Sequence, residues 1–151
     1  MGTDFDVRII TTKKGFKTMN DFIEKELKRE GNRDYANALN ELFFKKETTN
    51  LVLFGWNSIN FDSEYTDYNL IRMALQNLEE VDISYSLSVK DNEMQEIHEY
   101  KFDSKENDYI YIPIPSIVYK FDDKATINEI FESEKEIESE LECDMEWLKY
   151  I

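Results

Sequence analysis

The sequence predicts an α+β fold: a mostly antiparallel sheet of four to five strands, helices packed on it, and an acidic helix at the C-terminus. Three observations carry this expectation. Residues 4–12 and 83–89 alternate apolar and polar side chains with the period of two of a strand. Residues 51–56, LVLFGW, are continuously apolar, as a strand buried on both faces would be. Residues 127–148 repeat apolar side chains at three and four, the period of a helix.

Taken in order, DFDVRIITT (4–12) places Phe5, Val7 and Ile9 on one face and Asp4, Asp6 and Arg8 on the other. It reads as an edge-compatible strand with one buried face. Thr18, with Asp21 three residues on, is the expected cap of a helix whose stripe is Phe16, Met19, Phe22, Ile23 and Leu27, ending near Gly31. Asp34 caps a second helix, DYANALNELFFKK, to make an αα-hairpin. After the buried strand 51–56, a helix begins at Asp62 or Ser63, with Tyr68, Ile71, Leu75 and Leu78 facing inward. ISYSLSV (83–89) and MQEIHEYKF (94–102) flank a turn at Asp91-Asn92-Glu93 and form a hairpin. Tyr109–Ile114 is a further strand, placed at an edge by Pro113 and Pro115.

The C-terminal segment poses a choice. Every even position from Glu132 to Glu146 is an acid, which imitates a strand with one wet face. That strand would bury Ser133, Lys135, Ser139 and Cys143 and would be built from glutamate, a poor strand former. The helical reading is better, over roughly residues 127–149. Thr126 and Glu129 fit a capping box. Ile127, Ile130, Phe131, Ile137, Leu141, Met145 and Leu148 then fall within an arc of about 120°. Glu134 and Glu138 fall inside the same arc and interrupt it.

Length and composition bound the function. The 151 residues suit one domain, which can bury roughly 68–70% of its unfolded surface without disulfides. Net charge is -15, and it is uneven: residues 1–50 hold nine acids and ten bases, residues 51–151 hold 24 acids and eight bases. So acidic a chain repels nucleic acid and anionic lipid, and a charged partner is expected to be basic. One cysteine, Cys143, suggests a reducing compartment. The N-terminus lacks the features of a signal peptide, and Asp6 stands where a myristoylation pattern needs Ser or Thr. No apolar run approaches the ~20 residues of a membrane span. The expected location is cytoplasm, the host's if the chain is phage-encoded.

Catalytic signals are sparse. There is no GxGxxG, GxxxxGK[ST], HExxH or GxSxG. His98, the single histidine, shares a strand face with Glu96 and Tyr100, and a small metal enzyme built around it is the second alternative function. No second histidine completes a common zinc site, so a half-exposed strand histidine is the reading preferred. A Cys143–His98 pair has no motif behind it. The loop DSKEND has Lys105 where a calcium loop needs a ligand. No metal or cofactor is expected.

The acids remain. Pairs such as Glu132–Glu136 and Glu136–Glu140 repel at i,i+4, each by a few tenths of a kcal/mol. A helix that needed only solubility would mix its signs. This local conflict points to a binding surface made of Glu132, Glu134, Glu136, Glu140, Glu142, Asp144 and Glu146, extended by Asp103, Glu106, Asp108, Tyr109 and Trp56. Tyrosine beside carboxylate suits Arg and Lys on a partner. The lysines and arginines at 13, 14, 17, 25, 28, 29 and 33 can pair with the acidic helix of the same chain or of a second copy, which admits a homodimer. In size, charge and lack of a catalytic motif the chain resembles the small acidic DNA-mimic inhibitors of phages, the anti-restriction and anti-CRISPR class. The resemblance implies a non-enzymatic protein that occupies the basic surface of a nucleic-acid-binding protein or nuclease, with no direct contact to nucleic acid or membrane. It carries no residue roles. An immunity protein against a basic nuclease toxin is the first alternative.

Overall fold

A computed structural model describes residues 5–29, 39, 42–59, 66–91, 97–105, 112–117 and 120–148, excepting the side chains of 29, 66–68 and 137–148. The elements are β1 (Phe5–Thr12), α1 (Lys13–Arg29), β2 (Phe44–Glu47), β3 (Leu51–Ile59), α2 (Thr66–Glu80), β4 (Tyr85–Asp91), β5 (Ile97–Phe102) and α3 (Asp123–Leu148). The strands form one antiparallel sheet in the order β2-β3-β1-β4-β5, and the fold is α+β.

β1 is the centre of the sheet rather than an edge-compatible strand, and both its faces are covered. Its odd residues join a first core. Val7 lies between Trp56 and Val89, and Ile9 between Phe54 and Leu87. Met19 and Ile23 of α1 and Leu70, Ile71, Ala74, Leu75 and Leu78 of α2 close over this face. Ile10 faces the other way, into a second core with Leu51, Leu53, Ile112 and Ile130 of α3. The helices therefore sandwich the sheet, α1 and α2 on one side and α3 on the other. The serines of β4 are buried as well, because this second layer covers them: Ser86 Oγ donates to Pro113 O at 2.7 Å.

Helix starts differ from expectation for a local reason. Thr12, not Thr18, caps α1: its Oγ1 accepts the Gly15 N–H at 2.9 Å. Thr18 instead donates to Lys14 O inside the helix. A Cβ at Gly15 would stand 2.2 Å from Thr11 Oγ1, so glycine lets the helix turn directly off the strand. Asp122, not Thr126, caps α3 by accepting the Ala125 N–H at 3.0 Å. Thr126 is buried, where it donates to Asp122 O and accepts from Ser116 N–H. α2 ends in a Schellman arrangement. Ile83 N–H reaches Leu78 O, Asp82 N–H reaches Glu79 O, and Asp82 takes a φ of 60°.

Two further expectations are corrected. Residues 44–46, assigned to a second helix, form β2; the rest of that helix, apart from residues 39, 42 and 43, lies outside the described residues. Of the strand expected at Tyr109–Ile114, residues 112–114 are irregular chain, as are 115 and 116, and residues 109–111 lie outside the described residues. Pro113 and Pro115 cannot donate to a ladder, and this segment lies over the sheet as irregular chain, with Ile112 in the second core.

Candidate functional site

The acidic helix is fastened to the sheet by its N-terminal part. Arg8 points from β1 into the second layer and is only 3% exposed. Its Nε donates to Asp123 Oδ1 at 2.8 Å and its Nη2 to Asp123 Oδ2 at 3.2 Å. Nη1 donates to Val7 O and Trp56 O, both at 3.0 Å. The guanidinium also lies against the rings of Phe43 and Phe121, at 5.7 and 4.9 Å. A buried cation survives only when its donors are satisfied in this way. Gly55 stands opposite Arg8 in the ladder. A Cβ there would be 2.0 Å from Val7 O and 2.7 Å from Arg8 Cδ, so the arginine needs that glycine.

The second fastening is Glu134. The sequence puts it among the expected partner-surface acids, but it is buried, and its carboxylate is spent on the β2–β3 turn. It accepts the Thr48 hydroxyl, the Thr49 N–H at 3.1 Å and the Asn50 N–H at 3.2 Å. Its place in the apolar arc of the helix was the signal of this inward role. Glu129, Glu132 and Glu136 are exposed around it. The carboxylates of Glu140, Glu142, Asp144 and Glu146 lie outside the described residues.

α3 carries ten acids and two bases. Lys13, Lys14, Lys17, Lys25 and Lys28 are exposed on α1, across the sheet from it. The basic helix and the acidic one of the same chain are therefore on opposite layers.

The remaining predicted contacts divide. Trp56 is 3% exposed and stacks edge-on to Phe54 at 5.9 Å, so it belongs to the core rather than to a partner surface. Asp103 is exposed, 3.6 Å from Lys101. Glu106, Asp108 and Tyr109 lie outside the described residues. His98 is exposed on β5. Among the described residues no group of three His, Cys, Asp or Glu is placed to hold a metal. None of the described helices is long and apolar enough to cross a membrane.

A groove not anticipated from the sequence runs between α2 and β5. Its larger hollow, about 540 Å³, is lined by Arg72, Met73, Gln76, Glu79, Tyr85 and Tyr100 among others. A smaller one of about 290 Å³ shares Arg72 and Tyr100 and reaches His98. Tyr85 and Tyr100 both donate to Glu79 Oε1, at 2.9 and 2.7 Å. Burial pushes the Tyr85 phenol well above its ordinary value of 10.0, and the Glu79 hydrogen bond and charge add to the rise. Tyr100 moves the same way, first through its bond to Glu79. Both phenols are thus held as protonated donors, the wrong direction for a general base at neutral pH. The sequence signal was Tyr85 in the apolar register of β4, a buried ring whose hydroxyl needs a partner. No family model, curated protein or solved structure matches the chain.

Proposed function

We propose that the chain is a non-enzymatic binding protein whose α3 surface occupies a basic, nucleic-acid-binding surface of a partner protein, in the manner of a DNA mimic. One observation carries the reading. The exposed Glu129, Glu132 and Glu136 of α3 lie in the layer on the opposite side of the sheet from α1, the basic helix of the same chain, so α1 does not neutralise them. Like charges gathered on one helix cost stability, and that cost has a use if the field is meant for another molecule. The anchoring of α3 fits this role. Arg8, Thr126, Ile130 and Glu134 hold its first part, and Glu129, Glu132 and Glu136 stay exposed.

The test is affinity capture from a cell lysate, run in parallel with the parent chain and with Glu132, Glu136, Glu140 and Glu142 changed together to Gln. Parent beads should enrich a nuclease or other basic nucleic-acid-binding protein, and added duplex DNA should release it. Equal enrichment by both baits, with no release by DNA, contradicts the proposal.

A further inference from the structure

The two edges of the sheet are built differently. β2 is four residues long, and Lys45, Lys46 and Glu47 on it are exposed. Short charged strands resist pairing with other chains. β5 is six residues long, contains no proline, and leaves Ile97 45% and Tyr100 48% exposed. Among the described residues no strand lies beyond it. Such an edge is a template for another strand.

Symmetry restricts what a second β5 can do there. The ladder with β4 puts His98, Tyr100 and Phe102 on the α2 side and Ile97, Glu99 and Lys101 on the other. Two copies that keep α2 on the same side of a joined sheet must pair even residues with even and odd with odd. The twofold axis then passes beside a single residue, and an axis beside Ile97 or Phe102 would leave only that one strand residue paired. About Glu99 it sets Glu99 against itself, and about Lys101 it sets Lys101 against itself and Glu99 against Asp103. About His98 it makes no pair of opposite charges. About Tyr100 it sets Glu99 of one copy against Lys101 of the other, twice, with Tyr100 against Tyr100. Opposite charges facing across strands stabilise, and like charges destabilise.

We propose that β5 is a self-association edge. Two copies join β5 to β5, antiparallel and centred on Tyr100, into one continuous sheet. This contact uses none of the α3 carboxylates and does not depend on what they bind.

Sedimentation of Glu99→Lys, Lys101→Glu and their mixture tests it. Glu99→Lys raises the net charge of -15 by two, so overall repulsion between copies falls while the local contact becomes Lys against Lys. Lys101→Glu sets Glu against Glu. The parent should sediment as a dimer, and each variant should dissociate at least about tenfold more readily. An equimolar mixture restores both opposite-charge pairs at the same total charge as the parent dimer, and it should sediment as a dimer again. That rescue also shows that both variants are folded. A parent chain that stays monomeric, a Glu99→Lys dimer as tight as the parent, or a mixture that does not recover overturns the proposal.

Discussion

Arg8 and Asp123, 115 residues apart in the chain, are joined by two hydrogen bonds, and this pair docks the start of α3 on the centre of the sheet. The guanidinium is almost sealed from water, since Arg8 is buried, and both Nη1 protons go to backbone carbonyls, Val7 O and Trp56 O.

Removing one side of this pair should therefore cost more than a surface ion pair would. Arg8→Ala is expected to lose about 3–5 kcal/mol in urea unfolding, since it strands Asp123 and leaves a hole in the second layer. Arg8→Lys should recover only part of that, because a lysine cannot make the paired contact to Asp123 while also serving both carbonyls. A loss below about 1 kcal/mol for Arg8→Ala, typical of exposed pairs, would show that α3 is not docked this way.

Gly55→Ala should also be destabilising, by about 1–3 kcal/mol, because its methyl group meets Val7 O and Arg8 Cδ. In the Arg8→Ala background part of that cost should disappear. A double-mutant cycle measures the coupling, and strictly additive effects would contradict the packing.

Glu134 and Glu132 are two residues apart and should behave oppositely. Glu134→Ala leaves the Thr49 and Asn50 N–H groups without their acceptor and should lose about 2–3 kcal/mol. Glu132→Gln, on the exposed side, should stay within about 0.5 kcal/mol. Thermal melts of the two variants compare them directly, and equal shifts would place Glu134 on the surface.

How much of this was legible follows from what each signal depends on. The α+β class, β3 and the β4–β5 hairpin rest on periodicity, which is local. The helix starts were displaced because Thr18 and Thr126 are suitable cap residues that tertiary contacts use otherwise. By alternation alone, Arg8 reads as a solvent-facing residue of its strand. Only the covering of the second face by residues 112–116 and α3 makes it internal, and that is a long-range event. The pairing of Arg8 with Gly55 was present in composition, but it becomes visible only once β1 and β3 are placed side by side. Glu134 was the reverse case: the apolar arc already contained it, and its charge concealed its position. The Glu79–Tyr85–Tyr100 cluster needed three separate elements to meet.

Alkaline pH should probe that cluster. The folded-state value of Tyr85 lies above its ordinary 10.0, so its contribution is fully present below about that pH and is lost as pH rises toward the folded value. Stability should therefore fall above pH 10 in the parent and less steeply in Tyr85→Phe. Glu79→Gln removes the charge that both phenols lean on, so ultraviolet titration should show tyrosine ionising at lower pH than in the parent. Superimposable titrations of parent and Glu79→Gln would dismiss the shared hydrogen bonds.

The central claim, that α3 presents its carboxylates to a basic partner, is tested most directly by association kinetics with the captured partner. Glu132, Glu136, Glu140 and Glu142 are replaced together by Gln, which keeps size and helix propensity and removes like-charge repulsion. Folding should be unharmed or slightly strengthened. The association rate of the parent should fall as salt rises past ~0.15 M, where the screening length drops below about 8 Å. The variant should associate more slowly at low salt and depend less on salt, with dissociation changed less than association. A partner that binds parent and variant at the same rate, at every salt concentration, would contradict the claim.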